Sequence, residues 1–375
     1  MNYVMLKEVC SINMGQSPDS NSYNEIGEGV PFFQGNADFG ERYPVVRKWC
    51  TAPTKMAKPE DILISVRAPI GAMNYAKEDC CIGRGLVALT PDKSKVSPEF
   101  IFWLLKGKNG ELNSKGTGST FKAIGRKVLE ETLVPNIDLT TQIKCSASLE
   151  KVYSIIQYRK QQLQQLDDLV KARFVEMFGD PMTNSKGYVL KKYGDLFELN
   201  AGGTPSKQKS EYWDNGTISW IGSNMCQNAV IYENDGNYIT EEGLKHSSAR
   251  IFPVDTVLIA LVGATIGKTA LLKFETTTNQ NVLGVRGIRE RGYAPEFIFY
   301  YTQGLYQKFL NIGDGGFAMA SKGFISELPV PIVGLTIQEK FATFVEQTDK
   351  SKFVVQKALD EAQTLFDSLM QEYFG

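Results

Sequence analysis

Two stretches of this chain repeat apolar side chains at helical spacing for longer than an ordinary globular helix needs. Steps of three and four run from Leu149 through Val152, Ile156, Arg159, Leu163, Leu166, Val170 and Arg173 to Met177. The same steps run from Val345 through Thr348, Lys352, Val355, Leu359, Ala362, Phe366 and Leu369 to Tyr373. Seven of the nine positions are apolar in each run, the 3.5-residue repeat of a coiled-coil seam. No proline interrupts either one, so the pattern predicts helices over 140–178 and 336–374, each about 57 Å long at 1.5 Å per residue. Without a helix of equal length alongside, the seam residues stay wet, at roughly 1.5–3 kcal/mol each as an upper bound. With a whole domain between them, the two helices can lie antiparallel. Gln157, Gln161, Gln164, Gln165, Asp167 and Asp168 form a solvated face. Elsewhere short β-like runs, such as Ile62 to Val66, Leu86 to Leu89 and Val257 to Leu261, alternate with Gly, Pro, Asn and Ser turns. Ser97-Pro98-Glu99 reads as a helix start: a capping hydroxyl, a proline at the first position and an acid at the positive end of the dipole.

The chain is written twice. Asn13-Met14-Gly15-Gln16-Ser17-Pro18 returns as Asn200-Ala201-Gly202-Gly203-Thr204-Pro205, and Ile70-Gly71 as Ile266-Gly267. Pro98-Glu99-Phe100-Ile101-Phe102 recurs unchanged as Pro295-Glu296-Phe297-Ile298-Phe299. Pro135 with Gln142 answers to Pro331 with Gln338, and Phe178-Gly179 to Phe374-Gly375. The offset grows from 187 to 196, so the second copy carries about nine extra residues, nearly all between Asn224 and Ile266. A period this long means duplicated domains. The organisation expected is a mixed α/β recognition-like domain over 1–138, a long helix over 139–180, a second such domain over 181–334 and a second long helix over 335–375, the two helices forming an antiparallel coiled coil in a pseudo-twofold architecture.

The apolar residues of the helices exceed one seam. Ile155, Leu169, Phe174 and Phe178, then Phe344, Phe353, Leu365, Met370 and Phe374, widen the stripe. They are expected to dock partner subunits, alike on both helices because the helices are copies.

Composition narrows the function classes. With 42% hydrophobic and 22% charged residues the chain is globular, and 41 basic against 42 acidic residues leave a formal charge of −1. That excludes a strongly basic nucleic-acid glove; any DNA contact must come from local patches. No apolar run reaches the roughly 20 residues that span a bilayer, and no secretory signal is visible, so no membrane role and a cytoplasmic location are expected. Six cysteines without a Cys-x-x-Cys pair and a single histidine do not make the usual zinc patterns and read as reduced structural thiols. Catalytic motifs fail on inspection. Gly263 to Thr269 has three residues between its glycines where a phosphate loop needs four, which leaves a strand–turn–strand with a lysine at its tip. Gly83-Arg84-Gly85 runs on into Leu89-Thr90-Pro91 instead of opening a helix. No Glu-x-Lys tripeptide occurs, and Asp180-Pro181-Met182 lacks the second proline and the ring of an amino-methyltransferase box. The chain reads as non-catalytic, with no cofactor of its own.

What varies between the copies suits DNA reading. A small-residue loop in the first copy offers Lys115, Thr117, Ser119, Lys122 and Arg126, where hydroxyls and cations could meet phosphate; the second has Gly313 to Lys322, ending in Lys322. Asp314 stands where the first loop has Thr117, which weakens the second as a phosphate contact. Lys207, Lys209 and Lys268 add further cations. Side chains able to pair with base edges sit in other loops: Gln34, Asn36, Arg67 and Arg84, then Asn224, Asn279, Gln280 and Asn281. Each alone could be a solvated turn residue. A duplicated scaffold with unlike tips suggests two short sequences read at fixed spacing. Through Asp180 the chain has 23 basic and 21 acidic residues, and 18 and 21 after it, so it should bind DNA weakly without basic partners. A coiled-coil adaptor binding proteins through its globular ends is the alternative.

These residues together resemble the specificity (S) subunits of type I restriction–modification systems. The resemblance covers the whole chain and rests on the tandem halves, the loop at 116–124, the Pro135 and Pro331 segments leading through Gln142 and Gln338 into long helices, and the Phe-Gly helix ends. It implies a non-enzymatic subunit that binds a bipartite asymmetric target in double-stranded DNA, one half-site per domain. It also implies that the helices dock two methyltransferase (M) subunits, which restriction (R) subunits join. S-adenosylmethionine, ATP and Mg would then belong to those partners.

Overall fold

The structure is a computed structural model, and it describes residues 2–118, 122–312 and 319–375. The chain divides into two units. Unit 1 comprises 1–160 with 357–375, and unit 2 comprises 161–356. Each long helix, Leu139–Phe178 and Leu335–Phe374, therefore gives one half to each unit.

In unit 1, Tyr3–Met5 pairs antiparallel with Leu133–Pro135. A four-stranded antiparallel sheet follows in the order Cys10–Met14, Leu86–Pro91, Ile62–Ser65, Met73–Tyr75. A second sheet contains the parallel pair Val30–Phe33 and Cys80–Ile82. Unit 2 repeats this plan. Leu190–Lys192 pairs with Pro329–Pro331, and the main sheet runs Glu198–Ala201, Val282–Arg286, Val257–Ala260, Thr269–Leu272. Its parallel pair is Ile218–Ile221 with Thr277–Thr278. The extra residues of the second copy fall between these elements. There Ala229–Ile231 adds a fifth, parallel strand to the main sheet, and the short helix Glu241–Lys245 follows.

The repeated Ile-Gly pair marks one place where only glycine serves. Gly71 and Gly267 both have positive φ, and a Cβ there would lie 2.2 Å from the Asn109 Oδ1 and 2.5 Å from the Phe309 ring. The repeated pentapeptide opens the helices Pro98–Gly107 and Pro295–Gly304, whose Phe100, Ile101 and Trp103, and Phe297, Ile298 and Phe299, are buried. The repeated glutamines tie these helices to the long ones. Gln142 accepts from the Ser97 N–H at 2.9 Å and donates to the Ile137 carbonyl at 2.8 Å. Gln338 accepts from the Ala294 N–H at 3.0 Å and donates to the Val333 carbonyl at 2.8 Å. Both side chains are buried, so each bond replaces one that water cannot make.

The long helices run antiparallel within each unit. In unit 1 the early Tyr153 meets the late Phe366, ring centroids 6.2 Å apart. In unit 2 the late Phe174 meets the early Phe341 at 5.3 Å. None of the eighteen stepped positions is exposed. Lys352, a polar seam position, reaches Asp167 of the facing helix at 2.6 Å and Asp349 of its own at 3.3 Å. That pairing is the usual means by which a seam tolerates a charge and fixes its register.

The expected docking stripe needs correction. Phe174 and Phe178 are buried in the core of unit 2 among Phe297 and Phe341. Phe344 packs partly against that core, and Phe374 packs against unit 1, its ring 5.2 Å from Phe100. These four serve their own domains because the inner face of each helix must cover a sheet-and-helix core as well as its neighbour. Ile155, Leu169, Leu365 and above all Phe353, 73% exposed, face solvent, joined by Tyr158, Val175 and Val354.

Candidate nucleic-acid interface

In unit 1 four loops are stitched edge to edge by backbone hydrogen bonds. The Gly83 N–H donates to the Phe33 carbonyl at 2.8 Å, and the Val66 N–H to the Gly85 carbonyl at 2.9 Å. The Ile124 N–H donates to the Val66 carbonyl at 3.0 Å, the Ala68 N–H to the Lys122 carbonyl at 3.1 Å, and Thr117 bridges Ala123. This ladder brings Gln34, Arg84, Arg67, Lys122 and Thr117, all exposed, onto one edge. The turn carrying Arg84 admits little else: a Cβ at Gly85 would sit 2.3 Å from the Gln34 carbonyl oxygen. Among the described residues Arg67, Arg84 and Lys122 make no ion pair, so three cations on one edge remain available to an anion. Asn36 is half-buried at the start of the turn Asn36–Asp38 beside them. Lys115 and Arg126 are also exposed, but each holds an acid, Glu111 at 2.6 Å and Glu130 at 2.7 Å. Ser119 lies outside the described residues.

Unit 2 builds the same edge with other side chains. The Asn279 N–H donates to the Ile221 carbonyl at 3.1 Å, the Leu261 N–H to the Asn281 carbonyl at 2.8 Å, and the Ala320 N–H to the Leu261 carbonyl at 2.8 Å; Val262 bridges Met319. Gln280 therefore stands where unit 1 has Arg84, and Val262 where it has Arg67. The Asn279 Oδ1 accepts from the Asn281 N–H at 3.0 Å. Lys268, at the tip of the strand–turn–strand, donates to Gln227 at 2.9 Å, and Gln227 donates to the Asn224 carbonyl at 3.0 Å. Lys322 opens the short helix behind the Met319 bridge. Lys207 is exposed, whereas Lys209 lies over the Tyr212 ring and donates to its hydroxyl at 2.9 Å. The loop Gly313 to Ala318 lies outside the described residues.

Besides Val262, two residues of this edge were not legible in the sequence. The Arg84 N–H reaches the Ser17 Oγ at 3.4 Å, and the Thr204 hydroxyl donates to the Gln280 Oε1 at 2.6 Å. Their signal was present in the repeated segments Asn13 to Pro18 and Asn200 to Pro205, which marked the duplication without showing what they touch. All six cysteines are buried, and burial pushes the Cys226 thiol up to about 12. Among the described residues no helix is long and apolar enough to cross a membrane, and no group of three metal-ligating side chains comes together.

A family model, the type I restriction modification DNA specificity domain, matches residues 1–168 and again 185–362. The chain belongs to this family. The two specificity-domain matches fall on the two copies read from the sequence. A Methanocaldococcus jannaschii chain assigned as the specificity subunit of the MjaX type I restriction enzyme is 41% identical over 160 residues, 43% of this chain and 38% of that one. The MjaIX specificity subunit of the same organism is 32% identical over 169 residues, 44% of this chain and 38% of that one. The matched segments thus span about two-fifths of the length of these relatives. Among solved structures, a type I restriction–modification system S subunit from M. genitalium covers 100% of this chain and 96% of its own, with a TM-score of 0.63 and 14% identity. At that identity the likeness is one of fold.

Proposed function

We propose that this chain is the DNA-recognition subunit of a type I restriction–modification complex, non-catalytic by itself, binding a split asymmetric target in double-stranded DNA with one half-site per unit. The observation that carries the reading is the repeated loop edge, where equivalent backbone bonds present the exposed Arg84 and Arg67 in one unit and, in the other, the exposed Gln280 with a half-buried Val262 beside it. A scaffold kept constant under changing exposed side chains is what two-site sequence reading requires, because backbone bonds set position while side chains meet base edges. Membership of the specificity-domain family points the same way.

In this reading two M subunits dock on the exposed apolar residues of the helices, Ile155, Leu169, Phe353 and Leu365, and R subunits join them in the cytoplasm. S-adenosylmethionine, ATP and Mg then belong to those partners. The near-neutral charge of the chain fits a subunit that needs basic partners to close around DNA, since non-specific affinity rests on neutralised phosphates. Selection from a random duplex pool, with M subunits added, tests the proposal. Enrichment of a split motif is expected. No enrichment, together with retained protein binding by the globular ends, would make the chain an adaptor instead.

A further inference from the structure

We infer that the centre of one three-residue turn, Arg84 in unit 1 and Gln280 in unit 2, is the specificity-determining position of each unit, reading guanine through Arg84 and adenine through Gln280. The inference rests on the proposed function and deepens it by naming the residue and the base class.

The two turns, 83–85 and 279–281, are superimposable in their bonding. Each takes its entry bond from a strand end, Phe33 or Ile221. Each closes on itself, Leu86 N–H to the Gly83 carbonyl at 2.9 Å and Val282 N–H to the Asn279 carbonyl at 3.3 Å. Each passes its exit carbonyl to the next loop, at Val66 or Leu261. The central residue is exposed in both units, whereas Gly83 and Gly85 carry no side chain and Asn279 and Asn281 are half-buried. A side chain anchored this way loses little backbone freedom when it binds, which favours base reading over a loose phosphate contact.

The chemistry of the two centres differs in the sense that distinguishes base pairs. A guanidinium is a rigid fork that donates to the O6 and N7 of guanine, while a carboxamide donates to N7 and accepts from the N6 amino group of adenine. Thr204 supports the second assignment. Its hydroxyl occupies one lone pair of the Gln280 Oε1 and leaves the other, while the Nε2 protons have no partner among the described residues. The amide is thereby oriented with both halves of an adenine reader presented. The neighbours agree with the centres. Arg67 beside Arg84 is exposed and adds a donor for guanine or phosphate, whereas Val262, at the equivalent place beside Gln280, is half-buried against the core of unit 2 and adds none.

The test is binding-site selection with the full chain assembled with M subunits, comparing wild type, Arg84→Gln, Arg84→Lys and Gln280→Arg. Arg84→Gln is expected to lose guanine at one position of one half-site, with a tenfold or greater loss on the wild-type target, roughly what a bidentate pair supplies. The other half-site is unchanged. Arg84→Lys keeps the charge, so its salt dependence stays near wild type while guanine preference falls. Gln280→Arg shifts the opposite half-site. If Arg84→Gln and Arg84→Lys select the wild-type motif, or if Arg84→Gln weakens all sequences equally and lowers the salt slope, Arg84 is a phosphate contact and the inference is wrong while the proposed function stands. If wild type itself selects no split motif, the proposed function fails and takes this inference with it.

Discussion

The short helix of unit 1 begins at Ser97, whose hydroxyl caps the Phe100 N–H, while that of unit 2 begins at Ala294, which has no capping side chain. Both starts are nevertheless held by the same buried glutamine, Gln142 or Gln338, reaching in from a long helix. The aromatic ends of the helices show the same contrast. Unit 2 packs Phe174 and Phe178 on Phe341 and Phe297, whereas the corresponding places of unit 1 hold Met370, Phe374, Cys145 and Phe100. The bonds that join one element to another are kept in both units, as are the paired Phe100 and Phe297 and the paired Phe374 and Phe178. Other packing positions, Met370 against Phe174 and Cys145 against Phe341, and the side chains that face water have drifted. Function can therefore change at the loop edge without disturbing the frame beneath it.

The largest break in this comparison is expected from Phe174→Ala, which empties a buried ring site and should cost about 3–5 kcal/mol in unit 2. Met370→Ala, at the equivalent place in unit 1, should cost about 2 kcal/mol, because the flexible and partly exposed methionine leaves a smaller void. Urea denaturation followed by hydrogen exchange, read separately in each unit, checks the difference. Next come Gln142→Leu and Gln338→Leu, each leaving a buried N–H and carbonyl without partners. Each is expected to cost about 2–3 kcal/mol, and similar losses in the two units are the outcome that sustains the idea of a common frame.

A subtler test is acid. Asp255 and Glu60 occupy the same turn, both with positive φ. Burial raises the Asp255 carboxyl, but hydrogen bonds from Lys273 and Arg289 outweigh it and hold the group below its usual value. The hydrogen bond from Lys93 likewise holds Glu60 low, on an exposed surface. A depressed carboxyl stabilises the fold fully above its unfolded value, near 3.9 for Asp, and loses that contribution as pH falls through the folded value. Unit 2 should therefore weaken below about pH 4 even in 1 M salt, whereas the Glu60 contribution should vanish with salt at any pH, since exposed pairs are screened. Lys273→Met should flatten the acid limb of unit 2 alone. The smallest stability effect belongs to Phe353→Ala, expected within about 0.5 kcal/mol, with the loss read instead as weaker association with the M subunit in a pull-down or sedimentation assay. Association at full strength would remove Phe353 from the proposed docking face.

The seam was legible because fourteen of the eighteen positions on the 3.5 repeat, from Leu149 to Met177 and from Val345 to Tyr373, are apolar side chains kept from water, and a periodic constraint leaves a periodic trace. The edge residues Gln34, Arg67, Arg84 and Gln280 were nameable by chemistry. Their assembly was not, since the bonds that align them run between backbone atoms, which carry no side-chain signature. Val262 was invisible for the same reason: a valine in a turn says nothing until the Met319 bridge puts it in the place of Arg67.

The sequence by itself determined the duplication, the two long antiparallel-capable helices and the kinds of side chain set at the loops, because repeats, periods and residue chemistry are one-dimensional properties. Tertiary structure alone decided that Phe174 and Phe178 turn inward while Phe353 stays wet, and that Arg84 and Gln280 are counterparts. Which neighbour covers an apolar side chain, and which loop lies beside which, depends on contacts between residues far apart in the chain.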